Sequence, residues 1–296
     1  MTMNAQQVTS APWRHWARQS WAVALHEFRR LRHGRHALGR LVLTAMPIVF
    51  AGLVALFVVA MADQAFVDPL VIHSERRTVG AELLNIARLF RFLNLPFVLF
   101  GTTASLFANL YNSEIADRTL HHLFLLPVRR EVVTVGKYIA GVLVVFSTSL
   151  IAWLIAGGML LSLHGPSAAL SAGLSFAGLK ALAAYAMMIF LAATAYGALF
   201  LLVGTTFRSP SLVAAAFWGW EWITLFLPTG FKRISIVHWV TSFMPASVTT
   251  DWLFATLGDP DNPVLAFVVL SLFSIACVAA ATWRARRIQL SYGASE

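Results

Sequence analysis

Residues 138–179 contain no Asp, Glu, Lys or Arg. A helix needs about 20 apolar residues to cross the ~30 Å hydrocarbon core of a bilayer, so this run is long enough for two crossings. The break falls at His164-Gly165-Pro166, where a glycine and a proline interrupt helical continuation. Comparable uncharged runs lie between Arg40 and Asp63, Arg91 and Glu114, Lys180 and Arg208, and Asp261 and Arg284. Composition agrees: 58% of the chain is hydrophobic and only 12% charged, about half the charge of a soluble domain. Such a chain cannot clothe a water-soluble globule, and disorder is excluded on the same grounds.

An all-α integral membrane protein with six transmembrane helices follows. The spans are expected at 41–62, 92–113, 138–163, 181–204, 211–229 and 262–283, within a membrane domain covering 41–283. Pro47 is expected in the first turns of the first span, where a proline does least damage. The fifth span is interrupted by Glu221. Six spans leave both termini on one side. The N-terminus, the 114–137 loop, Arg208 and the tail 284–296 hold about twice as many Lys and Arg as the opposite loops. The positive-inside rule therefore places the N- and C-termini in the cytoplasm. The net charge of +9 is read as this topological bias, with membrane lipid and no nucleic acid as partner. No cleaved signal peptide is expected, since the first apolar run follows a long Arg-rich segment.

Within 1–40, residues 12–32 form no span but are amphipathic. Trp13, Trp16, Ala24, Leu25, Phe28 and Leu31 recur at helical spacing, with Trp21 at the stripe's edge. Aromatics beside Arg suit the headgroup layer. This reads as an interfacial helix anchored by Trp13, Trp16 and Trp21, or as a basic topology signal without fixed structure. On the outer side, 231–261 holds apolar runs too short to cross, around Trp239 and Trp252. They predict two short helices that dip into the outer leaflet, or that float at the interface.

Chemistry of known pattern was sought. Gly136-Lys137 lacks the glycine and hydroxyl that a phosphate-cradling loop requires. His26-Glu27 is not followed by the second His of a zinc helix, and His121-His122, adjacent on one helix, point apart. Gly173-Leu174-Ser175 lacks the second glycine of a serine elbow. The lone Cys277 allows no intramolecular disulfide. No catalytic residue, metal site or cofactor is expected in this chain, and it reads as no enzyme. Glu221 is the one acid inside a span, among Trp218, Trp220 and Trp222. Its charge is costly at membrane depth, by about 2.5–3.5 kcal/mol on insertion scales. It lines a translocation path with Trp218, Trp222, Thr102 and Asn109, or the fifth helix is short and Glu221 sits near the outer interface, bonded to a neighbouring helix. Thr102, Thr103, Ser105 and Asn109 could line the same path, but such groups in membrane helices more often bond from helix to helix, and Ala193, Ala195, Gly197 and Gly204 read as close helix packing.

The 114–137 loop is the most patterned stretch. Glu114, Asp117, Arg118, Thr119 and Leu120 lead through Leu123, Leu125 and Leu126 to Pro127, Val128, Arg129, Arg130, Gly136 and Lys137. This order resembles the corresponding segment of ABC-2 type transporter permeases. The amphipathic N-terminal helix, six spans and elaborated outer segment resemble the family's layout too. The resemblance implies the transmembrane subunit of an ATP-binding-cassette exporter, a homodimer or a heterodimer with a similar permease. It implies a separate ATPase subunit carrying ATP and Mg, coupled through 115–130, with Asp117, Arg118, Thr119, Leu120, Leu123, Leu126, Pro127, Arg129 and Arg130 at the contact. It implies short outer helices that close the exit, and a multi-pass place in the plasma membrane, the inner membrane of a bacterium. The reading from another class is a membrane-embedded enzyme acting on a lipid-linked substrate through Glu221 and a His.

Overall fold

A computed structural model describes residues 12–33, 37–62, 79–108, 110, 129–163, 165–207, 209–224, 229–245 and 261–286. They are almost all helical, and no strand occurs among them. In chain order the helices are α1 (Pro12–His33), α2 (Ala37–Ala62), α3 (Val79–Leu89), a π-helix π1 (Phe90–Leu99) and α4 (Phe100–Phe107). There follow α5 (Arg130–Ser162), α6 (Pro166–Leu174), α7 (Phe176–Thr206), α8 (Pro210–Thr224), α9 (Thr229–Lys232), α10 (Ile236–Thr241) and α11 (Pro263–Arg286).

Five helical stretches are long and apolar enough to cross a membrane: Leu38–Phe57, Leu83–Phe107, Arg130–Ser162, Phe176–Thr206 and Pro263–Arg286. The chain is thus a multi-pass membrane protein in its helical design. Of the expected fifth span the described part is α8, 15 residues long, and 225–228 lie outside the described residues. α5 begins at Arg130, at the basic pair, and runs on into the expected third span, with Gly136 and Lys137 inside it. Likewise α2 starts at Ala37, which puts Pro47 well inside it and not in its first turns.

The core centres on α7, whose Met188, Ile189, Ala192, Ala193, Ala195, Tyr196, Phe200 and Leu201 are buried. α4, α5 and α11 pack around it. Small residues let the backbones approach, as membrane helices require where no hydrophobic effect drives helices together. The ring of Phe107 sits between α5 and α7 against two glycines. A Cβ on Gly141 would lie 2.4 Å from its Cζ, and one on Gly197 2.8 Å from its Cε2. Gly204 approaches the backbone of the α4 end so closely that a Cβ would stand 2.8 Å from the Ala108 carbonyl oxygen. By contrast α2 turns Leu41, Val42, Val49, Phe50, Leu53, Leu56 and Phe57 outward, an apolar surface suited to lipid.

α1 packs along the start of α5. Its buried residues are Ser20, Ala24 and Glu27, one face at helical spacing. A Cβ on Gly136 would stand 2.8 Å from both the Ser20 carbonyl oxygen and Val23 Cβ. The expected single stripe therefore divides. Ala24, Phe28 and Leu31 turn toward the bundle, whereas Trp21 and Leu25 are exposed at 58% and 47%. The physical reason is close approach: the seam at Gly136 admits small side chains and excludes the large ones.

Candidate functional site

Two polar clusters stand in this apolar frame. The first surrounds Glu221, near the end of α8. Its carboxylate is buried. Oε1 accepts from the Tyr196 hydroxyl on α7 at 3.1 Å and from the Ile236 backbone N–H at 3.2 Å, and Oε2 accepts from the Ser235 hydroxyl. One carboxylate thus joins α7, α8 and the start of α10. Of the two sequence readings, a bond to a neighbouring helix is what the geometry displays.

α9 and α10 do not lie loose beside the bundle. Ile236, Val237, Trp239 and Val240 are buried, and the Trp239 indole N–H donates to the Arg233 carbonyl at 2.7 Å. Beyond them Asp261, just before α11, accepts from Arg233 at 2.9 and 3.2 Å and pairs with His238 Nε2 at 2.9 Å. The hydrogen bonds from His238 and then from Arg233 hold the Asp261 carboxyl below its ordinary value. Val248, Trp252, Leu253 and Leu257 lie outside the described residues.

π1 carries the rest of this cluster. A π-helix of ten residues is rare, and single-turn versions gather at functional sites. Pro96 within it has no N–H to give, and its carbonyl accepts from the Trp218 indole at 3.0 Å. Phe97 packs edge-on against Trp218 and Trp222, with centroids 5.7 and 5.6 Å away. Arg91, Phe92, Pro96, Glu221, Trp222 and Val237 line a small, partly open pocket. Arg91 Nε and Trp222 Nε1 are buried there without a hydrogen-bond partner. Asn94, also on π1, is fully buried with both amide atoms unpartnered.

Of the residues expected beside a path, Trp218, Trp222 and Glu221 meet at this cluster. The Thr102 hydroxyl bonds back one turn to the Val98 carbonyl at the end of π1 at 2.6 Å, and Thr103 does the same to Leu99. Neither makes the helix–helix bond expected of it, because a buried hydroxyl finds a carbonyl one turn back without any partner helix. Asn109 lies outside the described residues.

The second cluster ties the other end of the bundle. Lys137 of α5 is fully buried, with Nζ 3.3 Å from Glu27 Oε1 of α1. Glu27 is also 3.5 Å from Arg30. The Arg129 guanidinium stands 4.6 Å over the Trp16 ring, a cation–π geometry. Arg130 donates to the Arg286 carbonyl, and Arg286 Nε lies 2.6 Å from Glu131. The basic pair that closes the patterned loop is thereby joined to both α1 and the end of α11. Trp16 meets Arg129, Trp21 faces outward, and the Trp13 side chain is outside the described residues. Asp117, Arg118, Thr119, Leu120, Leu123, Leu126 and Pro127 also lie outside them.

Sequence reading missed Arg91, Asn94, Tyr196, Ser235 and the Glu27–Lys137 pair as site residues. Arg91 served only as the end of an uncharged run, and Lys137 as that and as the last residue of the patterned segment. A cation placed where a helix continues past it into an apolar run was the available signal. No family model matches the chain. Nor does any of the curated proteins match it.

Proposed function

We propose that this chain is the permease subunit of an ATP-binding-cassette exporter, working as a dimer with a separate ATPase. Five membrane-length helices, with α8 within a sixth crossing, support the expected topology, termini inward. The carrying observation is the base of the bundle. Where the patterned loop rejoins α5, Arg129, Arg130, Glu131 and Lys137 engage α1 and α11 at once. A pull on the 115–130 loop by a partner would reach three helices together. ATP and Mg sit on that partner.

The far end supports a gate. Tyr196 is about 15 Å of helical rise from Thr206, and Glu221 about 16 Å from Pro210. Against a ~30 Å core that is mid-depth, and Ser235 and Ile236 reach it. α9 and α10 therefore read as helices that dip inward, with Glu221 as their latch. A Glu221–His acid–base pair for the enzymatic reading finds less support, since three donors occupy Glu221 while His238 faces Asp261.

Purification in gentle detergent tests this reading. A co-purifying ATPase is expected, lost in Leu123→Asp or Leu126→Asp while the helical bundle stays folded. A native chain that carries no ATPase, or a residue near 120 mapped to the external face, refutes it.

A further inference from the structure

A guanidinium and a carboxylate share the pocket beside Glu221 and do not meet. Arg91 and Glu221 both line it, yet among the described residues no ion pair joins them, and Arg91 Nε is buried without a partner. The two charges cancel, so the pocket calls for no outside ion. What it holds is two sets of donors for one carboxylate.

The first set is in use. Tyr196 of α7 gives one hydrogen bond to Glu221, and the Ser235 hydroxyl and Ile236 N–H, at the entry to α10, give the other two. Were α10 to move away, two of the three donors would leave with it. A buried carboxylate short of donors is costly. The second set stands idle in the same pocket. Arg91 Nε and Trp222 Nε1 are both unpartnered, and guanidinium and indole can only donate. The pocket lies between the two arrangements, with Arg91, Phe92 and Pro96 of π1 facing Glu221, Trp222 and Val237 of α8 and α10. A Glu side chain can turn across it on its own bonds. Each arrangement satisfies one set of donors and strands the other. Competing arrangements of that kind make a two-state element.

We infer that Arg91 is the alternative partner of Glu221, whose carboxylate holds α10 through Ser235 and Ile236 in the arrangement described and turns to Arg91 and Trp222 when α9 and α10 swing out. Arg91 is then a positioning residue that sets how often the outer helices open. The inference rests on the latch reading of α9 and α10, and not on an ATPase.

The test uses the full-length chain in detergent, with no nucleotide. Val240 of α10 is fully buried, so Val240→Cys, in a Cys277→Ala background, reports by its rate of maleimide labelling how often α10 leaves the bundle. Ser235→Ala removes a donor of the latched arrangement and should speed labelling about tenfold, the scale of one hydrogen bond to a charged group. Arg91→Gln removes the alternative partner and should slow labelling about as much, while Arg91→Lys should keep the parent rate. Trp222→Phe, which keeps the ring and removes the N–H, should slow it severalfold. In a Glu221→Gln background, Arg91→Gln should have no further effect. Labelling unchanged by Ser235→Ala overturns the latch and the exchange with it. Faster labelling in Ser235→Ala without slowing in Arg91→Gln overturns the exchange and leaves the latch. Equal slowing with and without Glu221→Gln does the same. Should Arg91→Gln fail to fold, Trp222→Phe decides, and an unchanged rate there overturns the exchange.

Discussion

Lys137→Met should detach α1 from the bundle. Lys137 has no exposed side-chain surface and Glu27 only 3%, with 3.3 Å between them. At an effective dielectric near 20, two charges at that distance attract by about 5 kcal/mol. Desolvating both offsets most of this, so the intact pair contributes little net stability. Removing one partner is another matter, since the survivor stays buried and uncompensated, at about 3–5 kcal/mol. Arg30 lies 3.5 Å from Glu27 but is 40% exposed, and such a pair recovers at most about 1 kcal/mol. Lys137→Met should therefore cost about 3 kcal/mol. The double variant Glu27→Leu with Lys137→Met should return close to wild type. Limited trypsin digestion of the detergent-solubilised chain reads the effect. Cleavage at Arg29 and Arg30 should speed up in the single variant and recover in the double. If the single variant is as protected as wild type, or the double shows the sum of two losses, the buried pair is not what holds α1.

Gly204→Ala should destabilise by about 1–3 kcal/mol, because its new Cβ meets backbone oxygen of the α4 end at 2.8 Å. Gly157→Ala, with nothing within 4 Å, should stabilise α5 by up to about 1 kcal/mol through helix propensity; detergent-titrated unfolding compares the two. Tyr196→Phe removes a donor from the buried Glu221 carboxylate and should lower the same midpoint by about 1–3 kcal/mol. The Asp261 contact should be pH-dependent. Its folded value is depressed by His238 and Arg233, so its stabilisation is full above the unfolded value of about 3.9. It fades as pH falls through the lower folded value. Accessibility of a cysteine placed at 262 should rise only in that acid window, and an unchanged profile in Asp261→Asn at neutral pH would contradict the assignment.

The helical crossings were legible because uncharged runs of bilayer length have few other physical meanings. Close packing at Gly197 and Gly204 was legible for a related reason, since small residues in membrane helices mark near contact. The register of α8 against its neighbours was not, because hydropathy marks an apolar run without saying which of its residues meets α7 or α10. Nor was the division of the α1 stripe. Periodicity reports that a face is apolar, while which part of it meets a neighbour depends on a glycine more than a hundred residues away at 136. Glu221 was conspicuous as a lone acid, yet its partners Ser235 and Tyr196 are ordinary residues in sequence. The π-helix left no trace beyond Pro96.

Phe107 is wedged between α5 and α7 by two missing side chains, so α4, α5 and α7 share one keystone and none can slide without the others. α8 and α10 are joined to α7 through a single carboxylate. Mechanically the molecule divides into a stiff trunk and a light flap, and the cheapest hinge in it lies on the Glu221 side.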